Sequence, residues 1–365
     1  MLCVEKPADR IPVGVLGATG IVGQRLIQLL SQHPWFRLME LVASPGSSGR
    51  LYRDAARWVA GSDGDVPADV ADTILQSPEA ELASPILFSA LGSDVAAELE
   101  PLHAQRGHSV ISNASAFRTD PQVPLLIPEV NPETLDLLAQ QKWSDRGGGI
   151  VTNPNCCVVG LSLALAPLEK QFGIEAVTVN TLQALSGAGY PGVPSVAVLG
   201  NVIPFIAGEE EKMRVEPLEI LQAEFPISVA VHRVPVIDGH TMTVFVKLKK
   251  RTEIALVRRA MELYVGKPPS PDLPSAPRRP LHVLEERDRP QPARDAMRCR
   301  GMVVSVGRIR RDPVYDACFT LVVHNTLRGA AGAAILNAEL LVATHKIRGL
   351  GSRRDECSAK RLITG

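Results

Sequence analysis

Ile11-Pro12-Val13-Gly14-Val15-Leu16-Gly17-Ala18-Thr19-Gly20-Ile21-Val22-Gly23 stands near the start of the chain. A short apolar run, Ile11–Leu16, meets three glycines in the spacing GxxGxxG, and a helical pattern with Leu26, Ile27, Leu29 and Leu30 follows at once. The pattern predicts a strand, a glycine turn and a helix. Glycines there permit tight backbone geometry and close approach of a pyrophosphate, whose charge meets free N–H groups and the positive helix end. Gly17, Ala18, Thr19, Gly20, Ile21 and Val22 are therefore candidate dinucleotide contacts. A glycine turn also occurs for structural reasons alone, so the sequence on either side has to weigh in.

A second strand is predicted at about Leu38 to Ala43, and its exit decides which dinucleotide suits the site. The sequence there is Ser44-Pro45-Gly46-Ser47-Ser48-Gly49-Arg50. An acid would bind the ribose 2′-OH of NAD, whereas hydroxyls from Ser44, Ser47 and Ser48 with a nearby cation suit the 2′-phosphate of NADP. The reading favours NADP(H) and leaves NAD(H) open. Further strands at Ile86–Ala90 and Ser109–Ser112, with helical stretches between, argue for a parallel α/β sheet.

After Gly147–Gly149 comes Ile150-Val151-Thr152-Asn153-Pro154-Asn155-Cys156-Cys157, then an apolar helical run from Val158 to Leu168. Cys156 sits at a helix start, where the dipole and free backbone donors favour the thiolate that a nucleophile needs. Cys157, one residue on, points elsewhere on the helix and is assigned to packing. Taken alone, a cysteine at such a junction is more often structural. A second constellation shifts that balance: His232-Arg233-Val234-Pro235-Val236-Ile237-Asp238-Gly239-His240-Thr241 combines an anion-binding guanidinium with an imidazole that exchanges protons near neutral pH. A cysteine nucleophile and a histidine base are the usual pair for covalent acyl chemistry.

A chain of 365 residues is long enough for two domains and a large core. Lys plus Arg and Asp plus Glu both number 39, so no overall basic field draws the chain to nucleic acid or anionic lipid, and a small-molecule partner becomes the default. No apolar stretch reaches the ~18 residues that span a bilayer, and Met1–Arg10 lacks the apolar core of a secretory signal. Six scattered cysteines show neither disulfide density nor paired metal-ligand spacing, so a cytoplasmic, reducing location without a metal is expected.

From about Val13 to Val342 the chain resembles the aspartate-semialdehyde dehydrogenases, in their archaeal and fungal branch. The motifs that carry this are Gly17–Gly23, Asn113-Ala114-Ser115-Ala116-Phe117-Arg118, Val123–Asn131, Asn155-Cys156, Gln183–Pro194, Asn201–Ile206, Gly208–Met213, Arg233–His240 and His324–Gly332. The resemblance implies Cys156 as nucleophile, His240 as acid/base and Gln183 as a polar group positioning the acyl intermediate. It implies Arg233 on the substrate carboxylate, Glu209 on its amino group, and Arg118, Lys212 and Asn155 on phosphate. Ser186, Gly187 and Asn325 would lie against the nicotinamide. The implied reaction is NADPH-dependent reduction of L-aspartyl-4-phosphate to the semialdehyde through a Cys156 thioester, in aspartate-family amino-acid biosynthesis.

The implied fold is α/β: a Rossmann-type dinucleotide-binding domain, residues 1–155 with the C-terminal helix 329–365, and an α+β catalytic and dimerisation domain with a mixed sheet, residues 156–328. Strands are expected near Ala176–Gln183, Val229–Val236, Met242–Lys249, Met302–Ile309 and Ala317–Val323, and helices near 158–171, 253–265 and 330–345. The segment Lys267–Pro280 reads as a loop. Small-molecule substrate, phosphate and a homodimer or homotetramer are the implied partners, the broad sheet offering an apolar dimer surface. The chain departs from the family's pattern at Gly46, where an arginine is usual, at Cys157, where Ser or Thr is common, and at Ala197, Gly200, Pro217–Glu219 and Met242. Such drift keeps two alternatives open: the same thioester chemistry on an acyl-CoA, as in malonyl-CoA reductase, or a non-catalytic nucleotide-binding protein.

Overall fold

The glycine turn sits where the sequence puts it, at the end of strand β1 (Ile11–Leu16) and the start of helix α1 (Ile21–Leu30), in a computed structural model that describes residues 7, 9–60, 65–142, 147–267 and 273–347. Strands β2 (Phe36–Val42), β3 (Ile86–Ser89), β4 (Ser109–Ser112) and β5 (Gly149–Thr152) complete a five-stranded sheet in the order β2-β1-β3-β4-β5. Every pairing in it is parallel. Helix α2 (Ser93–Gln105) lies between β3 and β4 in sequence. Strands buried on both faces read as continuous apolar runs, which is why Val13, Val15, Phe88, Val110 and Ile150 are without exposure.

In an open parallel sheet ligands bind beyond the carboxyl ends of the strands, where the order reverses, here between β1 and β3. That edge carries the turn at Gly17, the Ser44–Gly49 turn, Asn113–Arg118 and, after β5, the segment running into Cys156. Connectivity alone thus places the nucleophile candidate on the cofactor edge.

Helix α3 (Cys156–Phe172) leaves this edge and buries the run Cys157–Leu168 against a second sheet. Burial of each large aliphatic side chain contributes about 1.5–3 kcal/mol, so the helix is a principal tie in the core. Asn155 caps it, accepting at Oδ1 from the Cys157 N–H (2.9 Å) and the Val158 N–H (3.4 Å), and Gly173 at φ 68° ends it. The second sheet comprises β6 (Ile174–Gln183), β7 (Ile227–Arg233), β8 (His240–Leu248), β9 (Leu281–Val283), β10 (Val304–Arg310) and β11 (Ala317–Val323), in the order β7-β6-β8-β11-β10-β9. It is mixed: β6–β7 and β9–β10 run parallel, the other pairings antiparallel. Helices α4 (Glu209–Leu221) and α5 (Ile254–Glu262) join α3 in its core.

Several boundaries differ from the sequence expectation. Helix α3 starts at Cys156 because Asn155 caps it, and the strand expected to reach Val236 stops at Arg233, where the turn containing Pro235 begins. β8 begins at His240, paired with Val323, so the imidazole is on a strand rather than in a turn. The terminal helix is divided into a π-helical turn, Leu327–Ala331, and helix α6, Gly332–Ala343, which packs into the core of the first sheet. Strand β9 was not foreseen; part of the expected loop Lys267–Pro280, residues 268–272, lies outside the described residues, as do residues 348–365. The outer face of the second sheet, expected to be apolar, shows Thr178, Asn180, Thr241 and Thr243 with a half-buried Phe245 and an exposed Leu182. Exposed apolar side chains also occur in the segment after β6, at Tyr190, Val196, Leu199, Val202 and Phe205.

Candidate active site

Cys156 is the first residue of α3, and His240 the first of β8; their Sγ and Nε2 lie 3.2 Å apart. The other ring nitrogen, Nδ1, accepts the Ala184 N–H at 3.0 Å. An acceptor role at Nδ1 fixes the neutral ring's proton on Nε2, facing the sulfur. A hydrogen bond from Cys157 and the neighbouring His240 outweigh burial and hold the Cys156 thiol well below its ordinary pKa. Arg233, at the end of β7, donates from Nη1 to the Ala184 carbonyl at 2.6 Å, so one short segment after β6 orients both guanidinium and imidazole. Gly187 closes over them: a Cβ there would come within 3.0 Å of His240 Cε1 and 3.1 Å of Arg233 Nη1.

Helix α4 supplies a second group. Glu209 is buried, and its carboxylate accepts from Lys212 Nζ (3.0 Å), Asn155 Nδ2 (2.9 and 3.0 Å) and Gln183 Nε2 (3.4 Å). Burial alone would raise its pKa, but Lys212 and these donors outweigh it and hold the carboxyl below its ordinary value. Two helical turns on, Glu216 accepts from Arg118 Nη1 (3.0 Å) and from the Asn155 N–H (2.6 Å), while Arg118 Nη2 donates to the Asn113 carbonyl at 2.8 Å. Arg118 is therefore a buried charge in a network, not a surface ion pair. Glu209, Lys212 and Glu216 share a helix face because 3 and 7 residues are close to whole turns, and that spacing is the signal by which Glu216 could have been found.

The sulfur of Cys157 is not turned away as expected. The residue is fully buried, yet a ligand atom from each of Cys156, Cys157 and His240 lies within 4.8 Å of the others. Side chains in a first helical turn lean toward the N-terminus, which brings neighbouring residues together at the tip of α3. Burial, and then the adjacent sulfur, push the Cys157 thiol well above its ordinary value. Gly329, in the π-helical turn, was also missed: a Cβ there would fall 2.7 Å from the Cys156 Cβ, so this glycine is the floor under the nucleophile.

The glycine turn has the tight geometry the sequence reading expects, but its Gly17, Ala18 and Gly20 N–H groups are already bonded within the protein. Gly17 has φ 77°, which favours glycine, and its own Cβ would lie 2.7 Å from the Ala90 carbonyl oxygen. The Gly17 and Ala18 N–H groups bond the Val42 carbonyl, at 2.9 and 3.0 Å, and the Ser47 N–H bonds the Ser44 carbonyl at 2.9 Å. These bonds set the Gly17–Val22 and Ser44–Ser48 turns side by side, and nothing lies within 4 Å of a Cβ placed on Gly46. Asn325 ties the segment after β6 to the turn before β8, donating to Ser186 Oγ (2.7 Å) and accepting the Gly239 N–H (2.9 Å). Behind the same edge Glu100 is fully buried, accepts from Ser112 Oγ at 2.7 Å, and is pushed up to about 7 by burial.

A parallel sheet with a glycine turn and a thiol paired to an imidazole at one edge defines a nicotinamide-linked oxidoreductase with a cysteine nucleophile. Residues 12–138 match the family model of a semialdehyde dehydrogenase NAD-binding domain, and residues 165–328 that of a semialdehyde dehydrogenase dimerisation domain. An aspartate-semialdehyde dehydrogenase of Methanothermobacter thermautotrophicus is 49% identical over 91% of this chain and 99% of the relative. Its counterpart in Saccharomyces cerevisiae is 41% identical over 92% and 98%. The crystal structure of the Candida albicans enzyme with NADP superposes with a TM-score of 0.84 at 38% identity, covering 93% of this chain and all of that one. The chain belongs to the aspartate-semialdehyde dehydrogenase family. Among the described residues no helix is long and apolar enough to cross a membrane.

Proposed function

We propose that the chain catalyses the reversible, NADPH-dependent reductive dephosphorylation of L-aspartyl-4-phosphate to L-aspartate-4-semialdehyde, supplying lysine, threonine and methionine synthesis. The observation that carries this reading is the 3.2 Å contact of Cys156 with His240, with Arg233 held by the same Ala184 segment as the imidazole, and Arg118 and Lys212 tied through Glu216 and Glu209 to Asn155, the residue before Cys156. A substrate that carries both a carboxylate and a phosphate suits a nucleophile with several cations in its surrounding network.

The Cys156 thiolate attacks the acyl carbon, the carbon–phosphate oxygen bond breaks, and inorganic phosphate leaves from between Arg118, Lys212 and Asn155. Gln183, at the end of β6, positions the resulting thioester, while Arg233 clamps the α-carboxylate and Glu209 takes the ammonium. Gly17–Val22, Ser44, Ser47 and Ser48 would hold the dinucleotide and Ser186, Gly187 and Asn325 its nicotinamide, which when bound would supply the hydride for the thioester carbon. His240 holds its proton at Nε2, within reach of both the sulfur and an oxygen on the reacting carbon, and manages it as the thiohemiacetal collapses and the carbon–sulfur bond breaks.

Residues 1–155 with 329–365 form the cofactor domain and residues 156–328 the catalytic domain, a division supported by the two sheets and by α6 packing into the first. The dimerisation-domain match and the exposed apolar residues of the segment Tyr190 to Phe205 support a homodimer, with a homotetramer as a pair of dimers. A cytoplasmic location follows from the substrate's place in metabolism. The test is reduction of NADP⁺, and separately NAD⁺, by purified protein with L-aspartate-4-semialdehyde. Turnover that requires phosphate and is lost in Cys156→Ala supports the reading; cofactor binding without turnover in the wild type overturns it.

A further inference from the structure

We propose that Cys156, Cys157 and His240 form a zinc site that reversibly switches the nucleophile off. The proposal rests on the reading of Cys156 as nucleophile and adds a regulatory ligand to that site. Two sulfurs and an imidazole nitrogen converge within 4.8 Å of one another, and Cys156 and His240 are already 3.2 Å apart. Tetrahedral zinc, with bonds of about 2.3 Å to sulfur and about 2.0 Å to nitrogen, sets its ligands roughly 3.5–3.8 Å apart. Changes in separation of about 1 Å or less bring the three donors to that spacing.

Donor type matches the ion. Thiolate and imidazole select zinc and other soft or borderline cations over magnesium or calcium. Three protein ligands leave the fourth position to water on the cleft side, where Cys156 is partly exposed. The Glu209 carboxylate acts on both sulfurs, so the local field adds attraction for a cation, while Arg233 opposes it. Coordination releases the remaining thiol protons to solvent, takes the Nε2 lone pair so that the ring proton passes to Nδ1 and the bond from the Ala184 N–H breaks, and occupies the sulfur lone pair that attacks the acyl carbon; removing the metal restores the thiolate and the Nδ1 bond. The second thiol makes this more than a Cys–His pair: without Cys157 only two donors remain, too few to hold zinc against a chelating solution.

The test uses the full chain, stripped with a chelator, titrated with Cd²⁺ and followed by the ultraviolet thiolate-to-cadmium band, then back-titrated with Zn²⁺. Zinc inhibition is measured in parallel, each variant normalised to its own metal-free rate. One ion per chain, displaced by zinc, is expected for the wild type. Cys157→Ser should lose on the order of 10- to 100-fold in affinity and about half of the band, with the half-inhibiting zinc concentration rising in step. His240→Asn should weaken binding and keep the full band. Wild-type affinity in Cys157→Ser, or in Cys157→Ala should the serine variant not fold, overturns the proposal. Because the band needs no turnover, the two readings fail separately: turnover without a band removes the zinc site, and a band without turnover removes the dehydrogenase.

Discussion

Gly329→Ala tests how closely the nucleophile is held. The added methyl would sit 2.7 Å from the Cys156 Cβ, 3.0 Å from its Cα and 3.2 Å from its carbonyl oxygen, whereas ordinary contact begins at 3.4 Å. Neither partner is a flexible side-chain end: one is the first turn of α3, the other the π-helical turn. Relief requires the two backbones to part by about 0.7 Å or more, and overpacking of this kind destabilises by about 1–3 kcal/mol. A displacement approaching 1 Å moves Cys156 Sγ off its 3.2 Å contact with His240, and misplacement on that scale lowers rates by on the order of 100-fold. We expect kcat to fall by about 30- to 100-fold with KM for semialdehyde little changed, and alkylation of Cys156 by iodoacetamide to slow as well. Steady-state kinetics, timed alkylation and thermal unfolding measure the three effects. A folded variant with kcat within about threefold of wild type would refute the claim that Gly329 seats the nucleophile.

Gly46→Arg places a guanidinium where a side chain meets no neighbour, and should raise kcat/KM for NADPH about 5- to 10-fold relative to NADH, read from the ratio of the two. Arg233→Lys loses a planar fork for a point charge and should lower kcat/KM for the semialdehyde by about 10- to 150-fold, with phosphate KM unchanged. Glu216→Ala strands the buried Arg118 and the Asn155 N–H, and urea unfolding should report a loss of about 3–5 kcal/mol. Glu100 has a folded pKa of about 7, raised from an ordinary 4.5. Its contribution is complete below about 4.5 and declines as pH rises toward 7, because the unfolded carboxyl ionises first. Glu100→Gln should therefore remove about 3 kcal/mol of the stability lost between pH 4.5 and 8, and an unchanged pH profile of urea midpoints would count against a neutral buried acid.

Periodicity made the first sheet legible. Ile11–Leu16 with its glycines, and the exact span Ser109–Ser112, follow from short apolar runs between breakers, and a parallel sheet then forces the loops to one edge. Cys156, Arg233 and His240 could be singled out because their chemistry is rare, and the helix-start setting of Cys156 is local, whereas the strand ends that carry Arg233 and His240 were misplaced by a few residues. Glu216 and Glu100 were not, since a carboxylate on a helix reads as solvated until the fold buries it. The direction of Cys157 and the role of Gly329 depend on contacts between segments far apart in sequence: the helix tip at Cys156 meets a turn formed more than one hundred and fifty residues later, and no local pattern encodes that meeting.

Helix α6 carries a consequence for synthesis. The core around β1–β5 includes Ala331, Ala334, Ile335, Leu336, Leu340 and Ile347, so the earliest-made sheet is completed by almost the last residues of the described chain. On a ribosome adding about 5–20 residues each second, the strands from Ile11 to Thr152 wait on the order of ten seconds or more with one apolar face uncovered while the second sheet is made. The nascent chain must keep that face from other chains until its own end arrives, and C-terminal truncations into α6 should leave a protein that aggregates rather than a smaller domain that folds.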